Sequence, residues 1–139
     1  MMERGARPRV AALRAQIAEI EGTERRRKEV LPFGLEMVDA KLPGGGLALG
    51  ALHEVAGGAQ GVTDGAAAAL FTAGILARVS GSILWCMTEP DLFAPAIAQA
   101  GLDPDRVIYV EARDETAVLA CFEEGLRHGG LGGVVAELA

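Results

Sequence analysis

A chain of 139 residues, half of them apolar and with a formal net charge of -6, is sized for one globular domain with a core of its own. Nineteen glycines without a period of three, alongside only six prolines, exclude collagen-like and disordered low-complexity classes. Cys86 and Cys121 have no second cysteine or histidine at ligand spacing, so neither a disulfide framework nor a zinc site is supported, and a reducing, cytoplasmic setting is the default.

The longest strongly apolar uncharged stretch, Gly65–Ala77, is 13 residues, short of the ~20 needed to span a bilayer. The N-terminus is charged and lacks the apolar run of a secretory signal. Charge is unevenly spread: residues 1–41 hold nine Lys/Arg against seven Asp/Glu, while residues 42–139 hold four against twelve. The body is therefore a poor nucleic-acid binder by itself, because phosphate neutralisation supplies most non-specific affinity. Any basic docking face lies near the N-terminus.

In chain order, the first segment reads as an amphipathic helix from about Pro8 to Glu29. Val10, Leu13, Ile17 and Ile20 recur at spacings of three, four and three, which places them on one stripe, and Pro8 suits a first turn. Arg25, Arg26, Arg27 and Lys28 follow as a compact basic run, readable either as a solvated helix end or as a partner or nucleic-acid contact. Residues 31–50 form a loop-rich connector with a helical turn over Glu36–Leu42, ended by Pro43 and three glycines.

Beyond the connector, strands and helices alternate. Strands are expected over Leu52–Ala56, Ser82–Met87, Val107–Val110 and Gly133–Leu138, and helices over Gly65–Val79, Phe93–Gly101 and Glu115–Gly125. Short Gly, Pro and Asp turns between them imply right-handed crossovers and a parallel sheet with helices on both faces. The fold class is α/β.

In such sheets ligands bind beyond the carboxyl ends of the strands. The segment from Gly57 to Gly65 has the position of a phosphate loop, which needs G-x-x-x-x-G-K-[ST]: amides to cradle phosphates, a lysine for the outer phosphates, and a hydroxyl for magnesium. Counted from Gly57, the second glycine is Val62, the lysine is Thr63 and the hydroxyl is Asp64. The only lysines in the chain are Lys28 and Lys41. A carboxylate about 4 Å from a phosphate is repelled by about 4 kcal/mol at an effective dielectric of 20, a penalty on the order of a thousandfold in affinity. Asp64 or Thr63 is instead expected to cap the following helix.

Glu89, after the second strand, and Glu137, after the fourth, would sit at the same sheet edge as that loop. They read either as a water-activating base and a metal holder or as polar residues at strand exits. His53 and His128 have no partner at catalytic or ligand spacing and read as structural.

Leu42 to Val55, with its Gly44-Gly45-Gly46-Leu47 turn and Glu54-Val55, resembles the stretch leading into the phosphate loop of RecA-type recombinases. Phe33–Asp39, Trp85–Glu89 and Val134–Glu137 fall where those proteins place a preceding leucine/aspartate segment and two acidic strand ends. Together with Pro90–Ile97 and Gly101–Val107, this combination resembles the ImuA family of damage-inducible bacterial proteins.

The resemblance implies a RecA-like parallel sheet preceded by an N-terminal interaction helix (residues 1–30), with residues 31–139 as a partial, C-terminally shortened core. It also implies a pseudo-ATPase without the phosphate-loop lysine, cofactor or metal. Gly57, Val62, Thr63, Asp64, Glu89 and Glu137 would then be vestigial positions. The implied role is a non-catalytic accessory in SOS mutagenesis and translesion synthesis, working with RecA, an ImuB-like polymerase homologue and, through it, an error-prone replicative-type polymerase. DNA contact is left open. Val10, Leu13, Ile17, Ile20 and Arg25–Lys28 would be the partner-binding residues. Two alternatives remain, a RecA-like nucleotide hydrolase with Glu89 as base and a SulA-like division inhibitor. A shortened core is expected to expose an apolar edge beside Val134 and Val135.

Overall fold

The computed structural model describes residues 6–20, 29–58 and 61–138. The chain divides into two compact units, residues 1–54 and 55–139.

In the first unit, helix α1 spans Ala6–Ile20, with Pro8 in the first turn, where its missing N–H would have had no intrahelical acceptor. Val10, Leu13 and Ile17 are all exposed along its stripe. The side chain of Ile20, with Arg25, Arg26, Arg27 and Lys28, lies outside the described residues.

Strand β1 (Val30–Leu31) pairs antiparallel with β2 (Leu47–Ala48), and Leu49 N–H donating to Glu29 O extends the ladder by one bond. Between them lies a single helical turn, α2 (Glu36–Asp39). The Asp39 carboxylate accepts from Phe33 N–H at 2.7 Å and Gly34 N–H at 2.9 Å, tying the turn to the strand before it. A 3-10 turn over Pro43–Gly45 returns the chain. Gly46 is required by close approach: a Cβ there would lie 2.7 Å from the Leu31 carbonyl.

The second unit holds helix α3 (Val62–Leu76), strand β3 (Ile83–Met87), helix α4 (Ala94–Gln99), strand β4 (Val107–Glu111), helix α5 (Glu115–His128) and strand β5 (Gly133–Ala136). The sheet is parallel with order β4-β3-β5, pairing Trp85 with Tyr109 on one side and Val135 on the other. Central β3 is buried on both faces, and its side chains alternate. Ile83, Trp85 and Met87 pack with Ala73 of α3 and Ile97 of α4; Leu84 and Cys86 pack with Val118 and Cys121 of α5. Helices thus cover opposite faces of the sheet, as expected for a mixed α/β domain.

Most element ends shift by one to three residues from the sequence reading, and three differences have a physical cause. Leu52–Ala56 is not a strand: it has no regular structure, and its residues are exposed. Three of its five residues are apolar, but they do not alternate, and a strand also needs a hydrogen-bonded neighbour. Helix α3 starts at Val62 rather than Gly65, because glycine inside a helix costs only about 1 kcal/mol. Helix α5 runs through Gly125 to His128 and ends at Gly129, whose φ of 70° is the left-handed stop. Gly125 is not a terminator; it is buried against the sheet, where a Cβ would meet Leu84 Cδ2 at 2.6 Å and Val134 Cγ1 at 3.0 Å.

The amino edge of the sheet is held by Arg106, whose guanidinium donates to Gly81 O at 2.8 and 2.9 Å and also to Val79 O. These bonds join the turn before β4 to the turn before β3.

Candidate functional site

The carboxyl edge of the sheet gathers every position that the sequence marks for chemistry in the second unit. Leu76, near the end of α3, lies against Gly133 at the start of β5. The start of α3 is therefore at the opposite edge, where β3, β4 and β5 end.

The glycine loop folds back onto the first turn of α3. A Cβ on Gly57 would lie 2.5 Å from the Asp64 Cβ and 3.2 Å from its carbonyl group, so the Gly57 backbone packs directly on Asp64. Asp64 is half-buried and Thr63 exposed, and the side chain of Val62 is outside the described residues. The expectation that Asp64 or Thr63 occupies the N-cap is corrected: the N-cap is Gly61, and both residues lie inside the first turn. A carboxylate in a first turn still interacts favourably with the helix dipole, at the position where an anion would otherwise be attracted.

Glu137 follows β5 directly, its N–H donating to Cys86 O at 2.9 Å and so continuing the ladder past Ala136. Its Oε1 accepts from the Trp85 indole Nε1–H at 2.7 Å. Trp85 is fully buried, so this is the acceptor its only polar atom requires. Burial raises the Glu137 pKa above the ordinary glutamate value; the indole hydrogen bond works against this shift and the charge of Asp91 adds to it. Asp91 was not singled out by the sequence, although its place beyond Pro90 at the end of β3 was visible.

Glu89 is exposed, and its carbonyl accepts from Asp91 N–H at 2.9 Å. Nothing in the described geometry joins its carboxylate to Glu137. Among the described residues, no group of three or more His, Cys, Asp or Glu is arranged to hold a metal ion. His53 Nε2 is bonded to Ala48 O at 2.7 Å, and His128 Nδ1 accepts from Gly130 N–H at 3.3 Å, both local structural contacts. Cys86 and Cys121 are free thiols in one cluster, and burial pushes the Cys86 pKa up.

The charge balance at this edge is decisive for what it can attract. Asp64, Glu89, Asp91, Glu111, Asp114, Glu115 and Glu137 all sit at strand exits or helix starts, where Arg113 is the one cation among the described residues. Its Nε is 3.0 Å from Asp114 Oδ2. Asp114 in turn caps α5, accepting from Ala117 N–H at 2.8 Å. A polyphosphate approaching here meets a negative potential that no unpaired lysine or arginine among the described residues of the second unit offsets.

Two curated relatives match the chain, both named Protein ImuA, from Caulobacter vibrioides strains NA1000 / CB15N and ATCC 19089 / CIP 103742 / CB 15. Each is 38% identical over 122 residues, covering 85% of this chain and 50% of the relative. The chain thus spans about half the length of the curated relatives it matches. No family profile and no solved structure matches it. Among the described residues, no helix is long and apolar enough to cross a membrane.

Proposed function

Over the 122 residues matched, the chain belongs to the ImuA family, and from this we propose that it is a non-catalytic, cytoplasmic accessory protein of damage-induced translesion DNA synthesis. In this reading it is a RecA-like pseudo-ATPase whose scaffold has been kept as an interaction module. Its partners are RecA and an ImuB-type polymerase homologue, and through the latter an error-prone replicative-type polymerase.

The observation that carries the non-catalytic part is the carboxyl edge: Asp64 packed under Gly57, Glu137 bonded to a buried indole, and Arg113 tied to Asp114. Asp64, Glu137 and Arg113 are thus engaged with the protein itself, whereas Glu89 stands exposed. A hydrolase with Glu89 as base has less support, because among the described residues of the second unit the one cation at this edge, Arg113, is paired with Asp114.

The docking part rests on α1. Val10, Leu13 and Ile17 are 45%, 55% and 50% exposed along one stripe, and a helix of 15 residues is marginal in water until such a face is covered. Ile20 continues the stripe by spacing, and Arg25–Lys28 would add electrostatic steering. Replacing Leu13 and Ile17 by Glu is expected to abolish capture of the chain by immobilised RecA while circular dichroism of the body stays unchanged. Undiminished capture would refute the assignment of α1.

A further inference from the structure

Cys86 and Cys121, the only cysteines of the chain, meet between β3 and α5, and we propose that they are a peroxide-sensitive thiol pair that closes into an intramolecular disulfide. Cys86 is fully buried on the face of β3 that also carries Leu84, and Cys121 packs on the same cluster from α5. Both are free thiols. The helix comes close to the sheet here because residue 125 is glycine: a Cβ there would lie 2.6 Å from Leu84 Cδ2. From Leu84 to Cys86 the strand advances two residues, about 6.6 Å. From Gly125 back to Cys121 the helix covers four residues, about 6 Å, and returns to the same face. Val118, nearly a turn further back, packs with Cys86 and with Ala112 beyond the end of β4, so helix and strand run in opposite directions and the two steps match. Cys121 is thereby set against Cys86 as Gly125 is set against Leu84. This close approach is what a disulfide requires, since its Cα atoms are held about 4.4–6.8 Å apart.

The two sulfurs have unequal access, which orders the chemistry. Cys121 is half-buried and reachable from solvent, whereas Cys86 is sealed under the helix. Burial raises the Cys86 pKa and the charge of Cys121 adds to the rise, so this thiol keeps its proton and is a poor first target for an oxidant. Hydrogen peroxide is the oxidant. A lone pair on the Cys121 sulfur attacks one peroxide oxygen, the O–O bond breaks, and the departing hydroxide takes the thiol proton and leaves as water. The sulfenic acid so formed faces Cys86. The Cys86 sulfur attacks that of Cys121, the S–S bond forms as the S–O bond breaks, and the hydroxide leaves as water with the Cys86 proton. Two thiols are oxidised to one disulfide while one peroxide is reduced to two waters. Two cysteines that served packing alone would behave as small hydrophobes, and neither would give up its thiol in the folded chain.

The inference is independent of partner docking, since its test uses the 139-residue chain alone. The reduced, folded chain is treated with hydrogen peroxide, then denatured and labelled with a maleimide. Both thiols should be lost, the intact mass should fall by two hydrogens, the product should run as a monomer on a non-reducing gel, and dithiothreitol should restore both thiols. The bridged chain should melt roughly 10 °C above the dithiol, because the bridge closes a long loop in the unfolded state. Cys121→Ser should leave the buried Cys86 thiol intact under the same treatment. Cys86→Ala, which suits a dry site, should instead leave Cys121 to gain oxygen or to link two chains. Two thiols that survive peroxide, a disulfide found only between chains, or oxygen added at Cys121 beside an intact Cys86 each overturn the proposal. So does a bridged chain that melts below the dithiol, since the bridge would then strain the fold rather than fit it. Loss of the Cys86 thiol in Cys121→Ser as fast as in the parent overturns the order of attack.

Discussion

Glu137 offers a test in which charge and hydrogen bonding have opposite signs. Its carboxylate accepts from the indole of a fully buried Trp85. Glu137→Leu removes the acceptor and fills the space through which water could replace it. The stranded N–H then costs about 2 kcal/mol, or roughly 5–10 °C in Tm for a domain of this size. Glu137→Gln keeps an oxygen acceptor but removes the charge. Because the Glu137 pKa is raised in the folded protein by burial and by Asp91, the folded state holds its proton more tightly than the unfolded state. Its contribution to stability is therefore full below the unfolded pKa and is lost as pH rises through the folded pKa. Glu137→Gln should match the parent near pH 4, below the ordinary glutamate pKa of about 4.3, and be the more stable of the two near neutrality. Thermal denaturation followed by Trp85 fluorescence, the chain having a single tryptophan, reads both variants against the parent. If Glu137→Gln were as damaging at neutral pH as Glu137→Leu, the charge itself would be needed, and the hydrogen-bonding account of Glu137 would fail.

Two further substitutions probe the scaffold that positions this edge. Gly125→Ala places a methyl group 2.6 Å from Leu84 Cδ2 and 3.0 Å from Val134 Cγ1; overpacking should cost about 1–3 kcal/mol in urea denaturation, despite alanine's better helix propensity, and an unchanged midpoint would refute the close contact. Asp114→Ala removes the α5 cap that accepts from Ala117 N–H, for a loss of about 1 kcal/mol. Asp114→Asn should recover most of it, and a loss shared equally by both would assign the effect to the Arg113 ion pair instead.

The alternation of helices and strands was legible because Ile83–Met87 and Val107–Glu111 are apolar runs of strand length, bounded by turn residues. The carboxyl-edge placement of Asp64, Glu89 and Glu137 followed from that alternation and from parallel topology. What the residues do there did not follow. Trp85 and Glu137 are 52 positions apart, and only the pairing of β3 with β5 brings them together; an indole in a buried strand was the one hint that a distant acceptor was needed. Leu52–Ala56 has a strand's length without a partner, and Gly125 has a terminator's identity but lies where the helix meets the sheet. In both cases the deciding fact is a neighbour from elsewhere in the chain.

The central claim, that this scaffold has no working nucleotide site, is tested most directly by isothermal titration of the 139-residue chain with ATP and magnesium. The account predicts no binding heat up to millimolar nucleotide. Micromolar, magnesium-dependent affinity would contradict it.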